Sequence, residues 1–133
     1  MKETDTMLST TRMTTILPVK DMDRARNFYE NSLGLKAQGM QDDGGCLLSS
    51  GDGSAIELMV KPDSDTSDHT SVSFEVADLA IEMKALEDHG VRFEDYDLPG
   101  LKTEGHVATS AHEKCAWFTD TEGNILCIHQ NLT

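Results

Sequence analysis

Residues 19–36 read VKDMDRARNFYENSLGLK, and residues 76–92 read VADLAIEMKALEDHGVR. The second stretch repeats the plan of the first. Val-x-Asp opens each, and apolar residues then recur near helical spacing: Ala25, Phe28, Tyr29 and Leu33 in one, Ile81, Met83, Ala85 and Leu86 in the other. Asp21 and Asp78 suit helix N-caps, because a short carboxylate can accept the free N–H groups of a first helical turn. Gly34 and Gly90 suit left-handed C-terminal caps, where a side chain would be strained. The repetition decides the fold, since it means one supersecondary unit used twice.

Outward from the helices, each follows a strand-like alternation, residues 14–19 in the first half and 71–76 in the second. Each precedes three more strand-like segments: 37–41, 46–49 and 55–60, then 91–96, 114–119 and 125–130. DDGG, GDGS and DTEG supply turn chemistry between them. The organisation is strand, helix, three strands, twice over. Module 1 spans residues 12–61 and module 2 residues 69–131, joined by a polar linker at 62–68 within a single domain of 12–131; residues 1–11 read as a flexible tail.

Successive side chains of a strand point to opposite faces. The apolar set Leu17, Val19, Ile56, Leu58, Val72, Phe74, Val76, Leu126 and Ile128 makes the face under the helices. Thr14, Glu57, Ser71 and Cys127 then share the opposite, concave face, and the expectation is a half-open pocket lined by those four. His129, two residues past Cys127, shares its face. Trp117 and Phe118 point oppositely, and Trp117 facing in would offer a flat apolar wall. The long segment 97–110 suits a loop over the pocket mouth, with Lys102 and His106 the nearest groups for a polar ligand. A carboxylate in such a pocket is desolvated and its pKa rises, so Glu57 is the candidate general base. The plainer alternatives are a Glu57 hydrogen-bonded to Thr14 or Ser71, and a Cys127 that only fills space.

With 24 acidic and 11 basic residues the formal charge is −13, which disfavours nucleic acid and anionic membrane surfaces as partners. No apolar run reaches the length of a signal peptide core or a membrane span, so the expectation is a cytoplasmic protein. Three cysteines, far apart and odd in number, fit reduced thiols.

VKDMDRARNFYENSLGLK together with WFTDTEGNIL (117–126) resembles the vicinal oxygen chelate superfamily: glyoxalase I, extradiol dioxygenases, fosfomycin-resistance and bleomycin-binding proteins. The resemblance implies an α+β fold in which two tandem βαβββ modules form a U-shaped, eight-stranded mixed sheet around a cavity, usually as a homodimer. It also implies metal ligands, His or Gln on the first strand of a module and Glu on the last, which fall here on Thr14, Glu57, Ser71 and Cys127. Only Glu57 matches, and three or more strong ligands are the norm for a divalent site. The expectation is therefore a binding protein for a small organic molecule with no cofactor. A lyase, isomerase or oxygenase using Glu57 as base or a non-standard divalent metal site is one alternative; a structural or interaction protein with a vestigial pocket is the other. Glyoxalase I activity itself is not expected, because its enediolate needs a metal to polarise it.

Overall fold

Asp21 and Asp78 start their helices as the sequence predicts. Asp21 Oδ1 accepts from Arg24 N and Asp78 Oδ1 from Ile81 N, each at 3.1 Å. The computed structural model in which these bonds are seen describes residues 7–51, 53–63 and 65–133, so residues 1–6 of the expected tail and Ser64 of the expected linker lie outside the described residues. Helix α1 (Met22–Asn27) passes into a π-helical turn at Phe28–Ser32, closed by Leu33 N donating to Phe28 O at 3.1 Å. Helix α2 (Leu79–Asp88) is regular. Gly34 and Gly90 follow at φ 79° and 93°, the left-handed region where a Cβ is strained.

Strands β1 (Thr14–Val19), β2 (Lys36–Met40), β3 (Cys46–Ser49) and β4 (Ala55–Val60) form one sheet of order β1-β4-β3-β2. β5 (Thr70–Glu75), β8 (Ala108–Thr109), β9 (Glu113–Thr119) and β10 (Ile125–Asn131) form the second, of order β5-β10-β9-β8. β1 runs parallel to β4, and β5 parallel to β10; the other pairs are antiparallel. The eight strands thus lie in two mixed sheets of four, with β1 and β5 as edges that share no ladder.

One segment departs from the expectation. Residues 91–96 alternate as a strand should, with Val91 and Phe93 buried, yet form no strand. Their one backbone hydrogen bond to β9 among the described residues is Glu94 N donating to Trp117 O at 2.8 Å. The chain then turns away, because Thr103 Oγ1 bonds both Asp95 Oδ1 and Tyr96 N, at 3.0 and 2.9 Å. A short ribbon, β6 (Asp97–Leu98) with β7 (Leu101–Lys102), follows, and β8 takes the rest of the β9 edge. Alternation reports burial, and burial here comes without a ladder.

The helix-facing sides of both sheets converge on one core. Tyr29, Phe118, Leu17, Leu48, Leu58, Leu79 and Leu126 are its largest enclosed members. Phe28 of module 1 meets Phe118 of module 2 at 6.5 Å, and Phe93 packs edge-on to Phe118 at 5.6 Å between centroids. No helix among the described residues is long and apolar enough to cross a membrane.

A buried polar clamp crosses between the modules at the turn 120–124. Asp120 Oδ2 accepts from Tyr29 Oη at 2.6 Å and from Asn124 Nδ2 at 2.8 Å, and its Oδ1 accepts from the backbone of Glu122 and Asn124. Asn124 Nδ2 also reaches Pro18 O at 3.0 Å. Glu122 accepts from Lys20 N, Asp21 N and Arg24, all at 2.8–3.1 Å. The free N–H groups at the start of α1 are therefore met by a carboxylate from the other module.

Candidate functional site

On the outer side of the first sheet, away from the core, Glu57 lies beside Ile16 on β1 and Leu47 on β3. Its side chain folds over Gly45, where any Cβ would collide with the carboxyl group. Its Oε2 is shielded and has no hydrogen-bond partner. Burial first, and then the neighbouring Asp43 carboxyl, raise the Glu57 pKa above the ordinary carboxylate value. Asp43 is itself held by Gly45 N, which donates to Oδ1 at 2.9 Å. Two carboxyl groups in contact favour keeping a proton between them. Because the folded pKa is raised, the Glu57 contribution to stability is present at low pH and lost as pH climbs past the folded value. Glu57→Gln is therefore expected to raise the melting temperature at pH 8 and leave it nearly unchanged at pH 4. Equal shifts at both pH values would remove the proton-sharing account.

On the outer side of the second sheet, Cys127 pairs with Trp117 and His129 with Cys115 across β10 and β9. Cys127 is buried and His129 partly so. A bulge at Ile125/Leu126 changes the β5 register: Ile125 pairs with Thr70 and Leu126 with Val72, leaving Ser71 unpaired and putting Ser73 beside Cys127. Ser73, which the sequence did not single out, takes the place expected of Ser71. Its Oγ is hydrogen-bonded to His129 Nδ1 at 2.6 Å, and it also bonds the Cys127 thiol. Burial raises the Cys127 pKa, and Ser73 and Cys115 partly counter it. Burial, the nearby Cys127 and Glu113 push Cys115 up to about 12. Trp117 stands on this outer side as the reading required if it were to form a wall, its Nε1 donating to Thr70 Oγ1 at 3.0 Å and Tyr96 edge-on to it at 5.6 Å.

The structure does not bring the predicted set together in one chain. Thr14 and Glu57 belong to the outer face of one sheet, Cys127, His129 and Trp117 to that of the other, and the shared core lies between these faces. Ser71 instead lines a cleft with residues 15–18 of β1. Lys102 is exposed on the ribbon. His106, at φ 72°, sits 3.0 Å from Asp95 Oδ2 and lines clefts beside α2.

A cleft of about 430 Å³ does open between the two sheet edges, lined among others by Thr15, Ala55, Ile56, Ser73, Glu75 and His129. There the predicted His129 and residues of both modules meet around a ligand-sized space. A hard divalent ion fits the predicted positions poorly: Thr14 and Ser71 offer hydroxyl groups, Cys127 a protonated thiol, and the Glu57 carboxyl is turned to Asp43. Among the described residues no three of His, Cys, Asp and Glu are grouped as a ligand shell.

No curated protein matches the chain by sequence. Several solved structures share its fold. The antibiotic binding protein TnmS3 from Streptomyces sp. CB03234 superposes with a TM-score of 0.68 at 17% identity, covering 92% of this chain and 98% of that one. A Sphaerobacter thermophilus DSM 20745 member of the glyoxalase/bleomycin resistance protein/dioxygenase superfamily gives 0.69 at 19% identity, with 91% and 97% covered. An integron cassette protein from the mobile metagenome of V. Cholerae gives 0.63 at 26%, with 91% and 94% covered. The family model matches residues 11–128, nearly the whole repeat. The chain belongs to the Glyoxalase/Bleomycin resistance protein/Dioxygenase superfamily.

Proposed function

We propose that this protein binds a small organic molecule in the cleft between its modules, without a divalent metal cofactor. The carrying observation is the cleft itself. Its volume of about 430 Å³ falls in the range of about 300–1,000 Å³ usual for ligand sites. Its wall mixes apolar and hydroxyl side chains, with the Ser73–His129 hydrogen bond as a convergent polar point. Glu75 and His129 are its ionisable lining residues, and the chain carries −13, so a neutral or cationic ligand suits it better than an anion. TnmS3, of the same fold, is described as an antibiotic binding protein, which supports the ligand class.

In this reading the protein works in the cytoplasm, where its three free thiols stay reduced, and its acidic surface turns nucleic acid away. The working form is a homodimer: Met13 and Ile16, 83% and 59% exposed at β1, form an apolar edge that a second copy covers. The test is a thermal-shift screen of neutral and cationic aromatic compounds, followed by calorimetry. His129→Ala is expected to weaken a true ligand about tenfold, the loss of one hydrogen-bonding partner. Hits indifferent to both His129→Ala and Ser73→Ala would place the ligand elsewhere.

A second reading makes the protein an enzyme of the lyase, isomerase or oxygenase type with Glu57 as base. The raised Glu57 pKa favours it, since burial and the Asp43 carboxyl make this carboxylate a stronger base than an ordinary one. Turnover abolished by Glu57→Gln with binding intact supports this reading; binding without turnover in the wild type removes it.

A further inference from the structure

Apart from the cleft, the outer face of the second sheet gathers two of the three cysteines. Cys115 lies opposite His129 and Cys127 opposite Trp117 on antiparallel strands, so the two thiols are diagonal neighbours on one face. They interact with each other, and Ser73 and Glu113 are the other side chains bonded to them. Cys127 Sγ is 3.3 Å from Ile128 O, the thiol proton pointing to the backbone. Cys127 is 4% exposed, while Cys115 is partly exposed to solvent.

The diagonal placement decides what the two sulfurs can do. Diagonal neighbours on antiparallel strands stand about 7–8 Å apart at Cα. A disulfide needs about 4.4–6.8 Å, so closing one here would shift two strands in the middle of their ladder. A cation seated between two sulfurs fills that gap instead. Thiolates are soft donors that select soft ions, and since no three of His, Cys, Asp and Glu form a ligand group among the described residues, the pair matches a cation content with two. His129, the nearest imidazole on this face, spends its Nδ1 on Ser73.

We propose that Cys115 and Cys127 form a two-coordinate site for a soft monovalent cation, with copper(I) as the type. On binding, each S–H bond breaks and a sulfur–metal bond forms in its place. The two protons leave to solvent, the copper keeps its oxidation state, and the bis-thiolate complex carries one negative charge. The site goes beyond small-molecule binding in the cleft and uses neither Glu57 nor the apolar walls, so either reading can fail without the other.

The test is an anaerobic titration of reduced protein with copper(I) against bicinchoninate, read alongside emission from the single tryptophan, Trp117, which stands directly opposite Cys127. One ion per chain is expected in the wild type and in Cys46→Ala, with quenching of Trp117. Cys115→Ser should lose both the ion and the quenching. Cys115 is only half-buried, so this variant keeps its fold, checked by circular dichroism, even if Cys127→Ser does not. Copper(I) uptake unchanged in Cys115→Ser would overturn the proposal. So would diamide treatment that removes both thiols as an intramolecular disulfide, since that outcome makes the pair a redox couple rather than a metal site.

Discussion

Glu122→Ala is expected to cost about 3 kcal/mol at neutral pH, because truncating a buried, fully bonded carboxylate strands every donor aimed at it. The Glu122 side chain is 1% exposed, and losing it leaves Lys20 N and Asp21 N without acceptors at the head of α1. The ion pair with Arg24 is the smaller part, since that guanidinium is 51% exposed and water competes for it. The Arg24 hydrogen bonds, helped by Thr121 and the two backbone donors, hold the Glu122 carboxyl down at about 2. An unfolded glutamate titrates at about 4.3. The folded value lies below the unfolded one, so the stabilisation is complete above about pH 4.5 and drains away as pH falls towards 2. Urea unfolding at pH 7, 4 and 2.5 should show wild type and variant far apart at the first and converging at the last. A gap of constant size would mean that the carboxylate charge plays no part.

Phe118→Ala should be at least as severe, about 3–5 kcal/mol, while Trp117→Ala, one residue away, should cost far less. Phe118 is 1% exposed and touches Phe28 and Phe93, so its ring joins the module 1 helix to the module 2 sheet. Removing it opens a cavity where the two halves meet, and neither half can collapse into it without pulling on the other. Trp117 lies on the outer face with one edge towards Tyr96 and its N–H on Thr70. Thermal unfolding of the two variants side by side makes the comparison. A Trp117→Ala loss equal to that of Phe118→Ala would mean that the outer face is a second core.

The repeat was legible because it is written in burial and capping, and both are local. Asp21, Asp78, Gly34 and Gly90 do what their chemistry requires whatever surrounds them. Residues 91–96 misled because Val91 and Phe93 alternate into the core from an extended segment that holds only one bond to β9. Ser73 was hidden behind Ser71 by a one-residue bulge, which no pattern of alternation announces. Asp43 belongs to a DDGG stretch that the sequence marks only as a turn, and only the fold lays it against Glu57. The same holds for Asp120 and Glu122: an acidic turn reads as surface until its acceptors find buried donors in the other module. Glu57 and Cys127 both stand on the last strand of a module, but such positions in two modules need not face one another.

The clamp closes over long stretches of chain: its bonds link residues 91 to 106 positions apart. During synthesis module 1 leaves the ribosome well before the DTEGN turn exists. Until that turn emerges, Tyr29 has no acceptor, Asn124 cannot reach Pro18, and the head of α1 stays open. Module 1 must wait, incompletely folded, for its own repeat. The order of translation thereby makes residues 120–124 a late piece that locks what was made first.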